Sequence, residues 1–368
     1  MRILHLEASP GWGGQEIRIL REAEGMRQRG HEVILGVMEG GGLIAEACKA
    51  GFTVCPLNFN KRHWLSCLFQ ILSLIRRHRI DLVNTHSSLD AWIGGIAARI
   101  ARKAIVRTRH LSTPIKPGWN SRLLYGKLAD FVVTTCSSII PMICDQSGKS
   151  REVCQSIPTG VDPLRIGFEE EASKKVRADL GIRQEDFLVG TACFIRSWKG
   201  IADFLKAADI MRGMRDLKWV VIGGGHEKAY RQMAHDMKLD GIVHFTGHLE
   251  NPFPALGALD LFALLSTANE GVSQAILQAA SLGKPLISTS VGGLGEVCLH
   301  RNTGIQVEPF SPDQVARAVL ELKENSVLRS LLGQNSKRLV EARFTLTQTI
   351  DQMEKAYARA VVLRNKNS

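Results

Sequence analysis

The chain has 368 residues, 45% hydrophobic and 23% charged, a length that suits two domains and a composition that excludes wholesale disorder. Its formal net charge is +11; residues 1–165 hold 22 Lys and Arg against 13 Asp and Glu, and residues 166–368 hold 25 against 23. The excess belongs to the first half and points to a polyanionic partner, either nucleic acid or an acidic membrane face.

In chain order, RILHLEA (2–8) reads as a strand, followed by a glycine turn and a helix from Gln15 to about Arg29. HEVILGVM, FTVCPL, DLVNTH, AIVRTR, FVVTTC and VCQSIP continue the strands, with helical-period segments between them. Strands alternating with helices predict a parallel sheet covered on both faces. The pattern breaks at PTGVDPLRIGFEEEASKK (158–175), which reads as a linker. A second series follows: FLVGTACF, LKWVVIG, IVHFTG, LDLFALLS and PLISTS, again spaced by helices. The expected architecture is two doubly wound α/β domains facing each other across a cleft, with boundaries 1–165 and 166–344. A last helix, within 345–368, has no strand after it and is expected to complete the first domain.

No run of about 18 apolar residues occurs, so no bilayer span is expected. The start, MRILHLEASPGWGG, lacks the apolar core of a signal peptide. Eight cysteines are scattered without a CxxC pair, which argues against zinc and for reduced thiols in a cytoplasm.

Several segments carry chemistry. SPGWGGQE (9–16) follows the first strand and opens a helix, so Gly13 and Gly14 suit either an anion cradle or a tight turn. The spacing is neither GxGxxG nor a P-loop, which disfavours a dehydrogenase or a P-loop nucleotidase. VIGGGHE (221–227), with Gly224 at its centre, repeats the same logic. ACFIRSWKG (192–200) brings Arg196 and Lys199 to the end of a strand, where two cations suit a departing diphosphate; surface solvation of both is the plainer reading. In STANEGVSQAILQAASLGKPLIS (266–288), Glu270 and Gly271 precede a helix beginning near Ser273, and the N–H groups of Val272 and Ser273 are free to point at a ligand. Gln278 follows eight residues after Glu270, and a helix-capping role for that glutamate remains the alternative. His86 and His110 end two strands and are placed at the same edge. The histidines show no ligand spacing, so no metal site is expected.

Taken in order, GGQE, RTRH, IPTGVD, RSWKG, GGG before a helix, FTGHLEN and ANEGVSQAILQAASLGKPLISTSVGG resemble the family-4 glycosyltransferases, retaining enzymes of the GT-B fold, over essentially the whole chain. In flavour the sequence is similar to members that build bacterial lipopolysaccharide or other cell-surface glycans. The resemblance implies a nucleotide-diphosphate sugar bound mainly by the second domain and an acceptor bound mainly by the first, with no cofactor and no required metal. It further implies diphosphate contacts from Arg196 and Lys199, contact of Glu270 with the transferred sugar, a loop glycine at Gly14, and His110 at the donor sugar and phosphate. Backbone near Leu249 is similar to the base-binding edge, and His86 and Arg109 fall on the acceptor side. Two departures stand out: Gln278 occupies the position of the second glutamate of the E-x7-E motif, and Arg196 lies three residues before Lys199 where many relatives leave five or six.

The charge finds a location in KRHWLSCLFQILSLIRRHR (61–79), where Trp64, Leu68, Phe69, Leu72 and Ile75 are expected on one helix face between basic ends. That face suits an interfacial helix on anionic lipid as well as an ordinary sheet-covering helix. The sequence reading is therefore a glycosyltransferase acting on a phosphorylated or lipid-linked glycan, cytoplasmic and peripheral on the inner face of the membrane. A GT-B-type nucleotide-sugar 2-epimerase is the alternative. A basic nucleic-acid-binding protein is disfavoured by 6% aromatics and the lack of a recognition motif.

Overall fold

The computed structural model describes residues 1–366, and every structural statement below concerns these. Two compact units divide the chain: Met1–Thr159 with the segment from Leu346 onward, and Gly160–Thr345. The crossings thus fall six residues before the boundary expected at 165/166, and at 345/346. Within the second unit the entering and leaving chains run side by side, Val161 N–H donating to Phe344 C=O at 2.9 Å.

The first unit is a seven-stranded parallel sheet, in the order β3-β2-β1-β4-β5-β6-β7. Its strands are β1 (Arg2–Glu7), β2 (Glu32–Met38), β3 (Thr53–Leu57), β4 (Leu82–Thr85), β5 (Ala104–Arg109), β6 (Phe131–Thr134) and β7 (Cys154–Ser156). Both faces are covered, which is why β1 is apolar at successive positions. Ile3 packs with Ile19, Met26 and Tyr357 on one face, and Leu4 and Leu6 pack with Ile71, Ile75 and Ala97 on the other.

The helix Leu346–Lys366 packs into the first of these two layers through Ile350, Met353, Ala356, Tyr357 and Ala360. It approaches the helix Gly14–Gln28 so closely that a Cβ on Gly25 would lie 2.6 Å from Ile350 Cγ1. A buried network fastens it: Tyr357 donates to Glu22, Asn84 Nδ2 reaches the Tyr357 hydroxyl at 2.7 Å, and Arg18 Nε lies 3.7 Å from Glu22 Oε2. Residues 367–368 of the expected final segment lie outside the described residues.

The second unit is a six-stranded parallel sheet in the order β10-β9-β8-β11-β12-β13. Its strands are β8 (Phe187–Ala192), β9 (Leu217–Ile222), β10 (Val243–Gly247), β11 (Leu261–Leu264), β12 (Leu286–Ser288) and β13 (Gly304–Gln306). Trp219 is fully buried and meets Phe204 edge-on at 4.9 Å between ring centroids. In each sheet the strand order reverses once beside its first strand, between β1 and β4 and between β8 and β11. Such reversals open a crevice at the carboxyl ends of the strands.

The helix Trp64–Arg77 corrects one expectation. Leu68, Leu72 and Ile75 are buried with Cys67 and Ile71, but Trp64 and Phe69 are exposed together with Leu65. At roughly 100° per residue, Phe69 lies outside the arc that faces the sheet, and Trp64 is the helix's first residue. Among the described residues, no helix is long and apolar enough to cross a membrane, and all eight cysteines are free thiols.

Candidate functional site

In the second unit, the chemistry-bearing side chains gather where the strand order reverses. The loop after β8 ends in a short turn, Ser197–Lys199, and then Gly200 enters the helix Ile201–Ile210. Gly200 has φ +71, and a Cβ there would sit 2.0 Å from Leu265 C=O, so only glycine lets this turn press on the end of β11. Thr267 N–H donates to Trp198 C=O at 2.8 Å, sealing the two loops together. The result places Lys199 Nζ 2.5 Å from Glu270 Oε1, which also accepts from Ser266 Oγ at 2.8 Å.

Both partners are largely buried, with side-chain exposures of 16% and 6%. Withdrawn from water, a cation and an anion attract each other more strongly than at the surface, against the cost of desolvating both. The sequence assigned Lys199 to a diphosphate and Glu270 to a sugar separately; in this structure they are bound to each other. Asn269, just before Glu270, has φ +61, a conformation uncommon for a residue with a side chain. Burial pushes the neighbouring Cys193 thiol up to about 12, so it stays protonated.

Arg196 is exposed, its guanidinium 5.2 Å from the Phe194 ring and 5.3 Å from the Trp198 ring, with no carboxylate partner among the described residues. Contact with the ring faces takes none of the guanidinium's five N–H donors, which leaves them for a ligand. Gly271 and Val272 are buried and Ser273 half-buried, directly before the helix Gln274–Ser281. Among the described residues, no protein acceptor takes the N–H groups of Val272 or Ser273. Gln278 is half-buried on the second turn of that helix.

The second glycine cluster serves packing. Gly223 and Gly225 have φ +117 and +115, and Cβ atoms there would lie 2.2 Å from Cys193 C=O and 2.8 Å from Ile195 C=O. Gly224 C=O accepts from Ile195 N–H at 2.8 Å, and a Cβ on Gly224 would touch His248 at 3.2 Å. These glycines clamp the Arg196 loop against the end of β9. Leu249 is half-buried two residues beyond β10.

In the first unit, Gly14 begins the helix Gly14–Gln28, and a Cβ on it would meet nothing within 4 Å. Gly13, at φ −167, is extended backbone. Neither glycine is demanded by a tight turn, so their effect is to leave backbone N–H groups uncovered at a helix start. Beside them lies a carboxyl that the sequence reading missed. Glu7, at the end of β1, accepts from Ser9 N–H at 2.7 Å, Gln15 Nε2 at 2.5 Å and Ser87 Oγ. Burial, reinforced by the Asp90 carboxylate, raises it to about 7. The available signal was an acidic residue ending the first strand just before the glycine loop.

His86 and His110 meet, but not as two groups at an open edge. His86 is buried with both ring nitrogens taken, Nε2 at 2.9 Å from His5 Nδ1 and Nδ1 at 2.9 Å from His110 Nε2. It therefore faces the protein interior rather than the acceptor side. Burial lowers all three histidines, His5 to about 3 and the other two well below the usual range, so they are neutral at neutral pH.

Arg109 is likewise engaged. Nε donates to Leu111 C=O at 3.1 Å, Nη1 to the Tyr125 hydroxyl at 2.5 Å, and Nη2 to Thr113 C=O. It braces the loop beyond β5 and lines, with Trp92, Lys116, Trp119 and Tyr125, a cavity of about 490 Å³.

Residues 12–165 match the family model described as Glycosyltransferase Family 4, and residues 187–325 match that described as Glycosyl transferases group 1. The UDP-Gal:alpha-D-GlcNAc-diphosphoundecaprenol alpha-1,3-galactosyltransferase of Escherichia coli is 24% identical over 98% of both chains. The N-acetyl-alpha-D-glucosaminyl L-malate synthase of Bacillus anthracis is 24% identical over 80% of this chain and 78% of its own. The crystal structure of Anabaena HepE in complex with UDP and glucose superposes with a TM-score of 0.83 at 22% identity, covering 96% of this chain and 98% of that one. These matches give the fold as GT-B, two Rossmann-like α/β domains, and favour neither an epimerase nor a nucleic-acid-binding protein. The two family models account between them for most of the chain, and the chain is a glycosyltransferase of the GT-B fold that joins a Glycosyltransferase Family 4 domain to a Glycosyl transferases group 1 domain.

Proposed function

We propose that this glycosyltransferase moves a hexosyl or related sugar, with retention, from a nucleotide diphosphate sugar to a lipid-linked glycan or lipopolysaccharide acceptor at an anionic membrane surface. The observation that carries the donor assignment is the Lys199–Glu270 pair at the strand-order reversal of the second unit. A diphosphate arriving there competes with Glu270 for Lys199, and the released carboxylate is free to accept from sugar hydroxyls. Arg196 and the N–H groups of Val272 and Ser273 supply further positive potential without a metal. Gly271 lets backbone approach the ligand, and Gln278 donates and accepts at the ribose hydroxyls, with Leu249 and Gly224 beside the base. Gly14 and His110 are assigned to the donor's phosphate and sugar.

In the transfer itself, the bond between anomeric carbon and diphosphate oxygen breaks, leaving its electron pair on the diphosphate. The acceptor hydroxyl bonds to that carbon from the same face and gives its proton to the departing phosphate oxygen. Lys199 and Arg196 stabilise the charge that develops on the leaving group.

Two relatives support the substrate classes: the Escherichia coli enzyme is named for UDP-galactose and a diphosphoundecaprenol-linked sugar, and HepE was crystallised with UDP and glucose. The acceptor side rests on the 490 Å³ cavity of the first unit, where Trp92, Trp119 and Tyr125 offer ring faces for sugars and Lys116 a charge for phosphate. The membrane reading rests on charge. Residues 61–128 carry 13 Lys and Arg against only Asp81 and Asp90, which equals the net charge of the whole chain.

The test is transfer of radiolabelled sugar from a panel of UDP-, GDP-, ADP- and CMP-sugars to diphosphoundecaprenol-linked and lipopolysaccharide acceptors, with the product's anomeric configuration read by NMR. Transfer with inversion, or transfer only to water-soluble acceptors, overturns the corresponding part of the reading.

A further inference from the structure

The three histidines of the first unit form a continuous hydrogen-bonded chain. His5 lies on β1, His86 directly after β4 and His110 directly after β5, on three strands that are neighbours in the sheet. The rings of His5 and His86 are stacked, 5.2 Å between centroids and 5° between planes, and those of His86 and His110 are also 5.2 Å apart. His5 and His86 are buried, and His110 is 9% exposed, so the chain runs from the interior to the surface at its His110 end.

Neutral imidazole carries one N–H and one lone pair, and that limits the chain to two arrangements. If His86 donates through Nδ1, then His5 donates through Nδ1, and His110 accepts at Nε2 and holds its proton on Nδ1. If His86 donates through Nε2, every proton is reversed, and His5 holds its proton on Nε2. The second arrangement is the costly one. His5 Nε2 is buried and has no hydrogen-bond partner, so it would be an N–H withdrawn from water with no acceptor. The first leaves a lone pair there instead, the milder loss. Arg18 and Arg107, whose positive charges bear on His86 and His110, further disfavour a charged ring in the chain.

We propose that His5 and His86 are positioning residues that hold His110 as the Nδ1–H tautomer, so that it presents a fixed hydrogen-bond donor to an oxygen of the sugar nucleotide. The chain works as a one-way lock: the unpartnered end in the core sets the proton at the surface end. Nδ1 of His110 makes no hydrogen bond to protein among the described residues, which leaves it for a ligand. The ligand part of this inference rests on the donor assignment made above; the tautomer part does not.

The experiment is a long-range nitrogen–proton correlation spectrum of the full chain labelled with ¹⁵N-histidine, with resonances assigned by single substitutions. Wild type is expected to show His110 with a protonated Nδ1 and an unprotonated Nε2 at pH 7. His86→Leu is expected to shift His110 toward the Nε2–H form and to weaken UDP-glucose binding about tenfold. A protonated Nε2 or an imidazolium at His110 in the wild type overturns the proposal without any variant. So does an unchanged Nδ1–H signal in His86→Leu. In calorimetry, failure of the wild type to bind any sugar nucleotide overturns the donor assignment. Binding that leaves the His110 Nδ1 proton unshifted overturns the recognition role alone.

Discussion

Lys199 Nζ and Glu270 Oε1 are 2.5 Å apart across two loops that leave neighbouring strands of one sheet. Without ligand the lysine's charge is neutralised from within the protein, so a diphosphate must displace a carboxylate to use it. Removing the carboxylate's charge while keeping its shape separates the two roles. Glu270→Gln is expected to tighten UDP binding several-fold, because Lys199 no longer has an internal anion. Transfer should fall by about 100-fold or more, because hydrogen bonding to the sugar is weakened in the transition state. Calorimetry with UDP and single-turnover transfer measure the two effects. Weaker UDP binding in Glu270→Gln would show that the carboxylate helps to bind UDP rather than competing with it for Lys199.

The glycines at the two switch points predict opposite outcomes for the same substitution. Gly200→Ala adds a methyl 2.0 Å from Leu265 C=O at a left-handed position and is expected to cost about 3 kcal/mol or more of stability. Gly14→Ala meets nothing within 4 Å and begins a helix, so stability should hold or rise by about 0.5 kcal/mol. If the exposed backbone there binds phosphate, transfer nonetheless falls as the methyl blocks its approach. Chemical denaturation and donor KM of the two variants distinguish a folding glycine from a binding one.

Glu7 makes stability depend on pH near neutrality. Its carboxyl rises from about 4.5 in the unfolded chain to about 7 in the fold, chiefly through burial. A raised carboxyl stabilises the fold fully below pH 4.5, and that contribution is lost as pH rises through 7. Over this window the loss from Glu7 is roughly 3 kcal/mol by the free energy of such a shift. Glu7→Gln, which cannot ionise, is expected to flatten the decline. Urea denaturation at intervals between pH 4.5 and 8 tests it; an unaltered slope in Glu7→Gln would assign the pH dependence to other groups.

Much of this arrangement was legible in the sequence. Apolar runs such as FLVGTA and LKWVVI announced strands buried on both faces, and the alternation with helices gave parallel sheets and hence the switch points where Lys199 and Glu270 fall. β13 was not legible, because Gly304–Gln306 is only three residues long and owes its pairing to β12 rather than to any periodicity of its own. Nor was the destination of His86, since a strand-end histidine reads the same whether its ring turns outward or is enclosed by two others. The bracing contacts of Arg109 were illegible for a related reason: a guanidinium announces charge in a sequence, while its carbonyl and hydroxyl acceptors at Leu111, Thr113 and Tyr125 come from chain geometry. Ion pairing of Lys199 with Glu270 joins residues 71 positions apart, a distance at which spacing carries no information.

The exposed edge of the helix Trp64–Arg77 gives the membrane reading its sharpest test. Trp64, Leu65 and Phe69 are 43%, 52% and 67% exposed, an apolar group on a helix whose core contacts are made by other residues. Lys61, Arg62, Arg76 and Arg77 are exposed around them, and no acidic residue occurs between Lys61 and Ile80. Insertion of the three apolar side chains and attraction of the cations to anionic headgroups are separable contributions. Replacing Trp64, Leu65 and Phe69 together by Ser should leave stability within about 0.5 kcal/mol, since none is in the core. The same replacement should abolish retention on phosphatidylglycerol vesicles at high salt, where charge attraction is screened. Replacing Lys61, Arg62, Arg76 and Arg77 by Gln should instead remove the preference for phosphatidylglycerol over phosphatidylcholine at low salt. Sedimentation with vesicles of each lipid measures both. If the wild type binds the two lipids equally, the positive charge of residues 61–128 has a different partner, and the phosphorylated acceptor itself becomes the group it attracts.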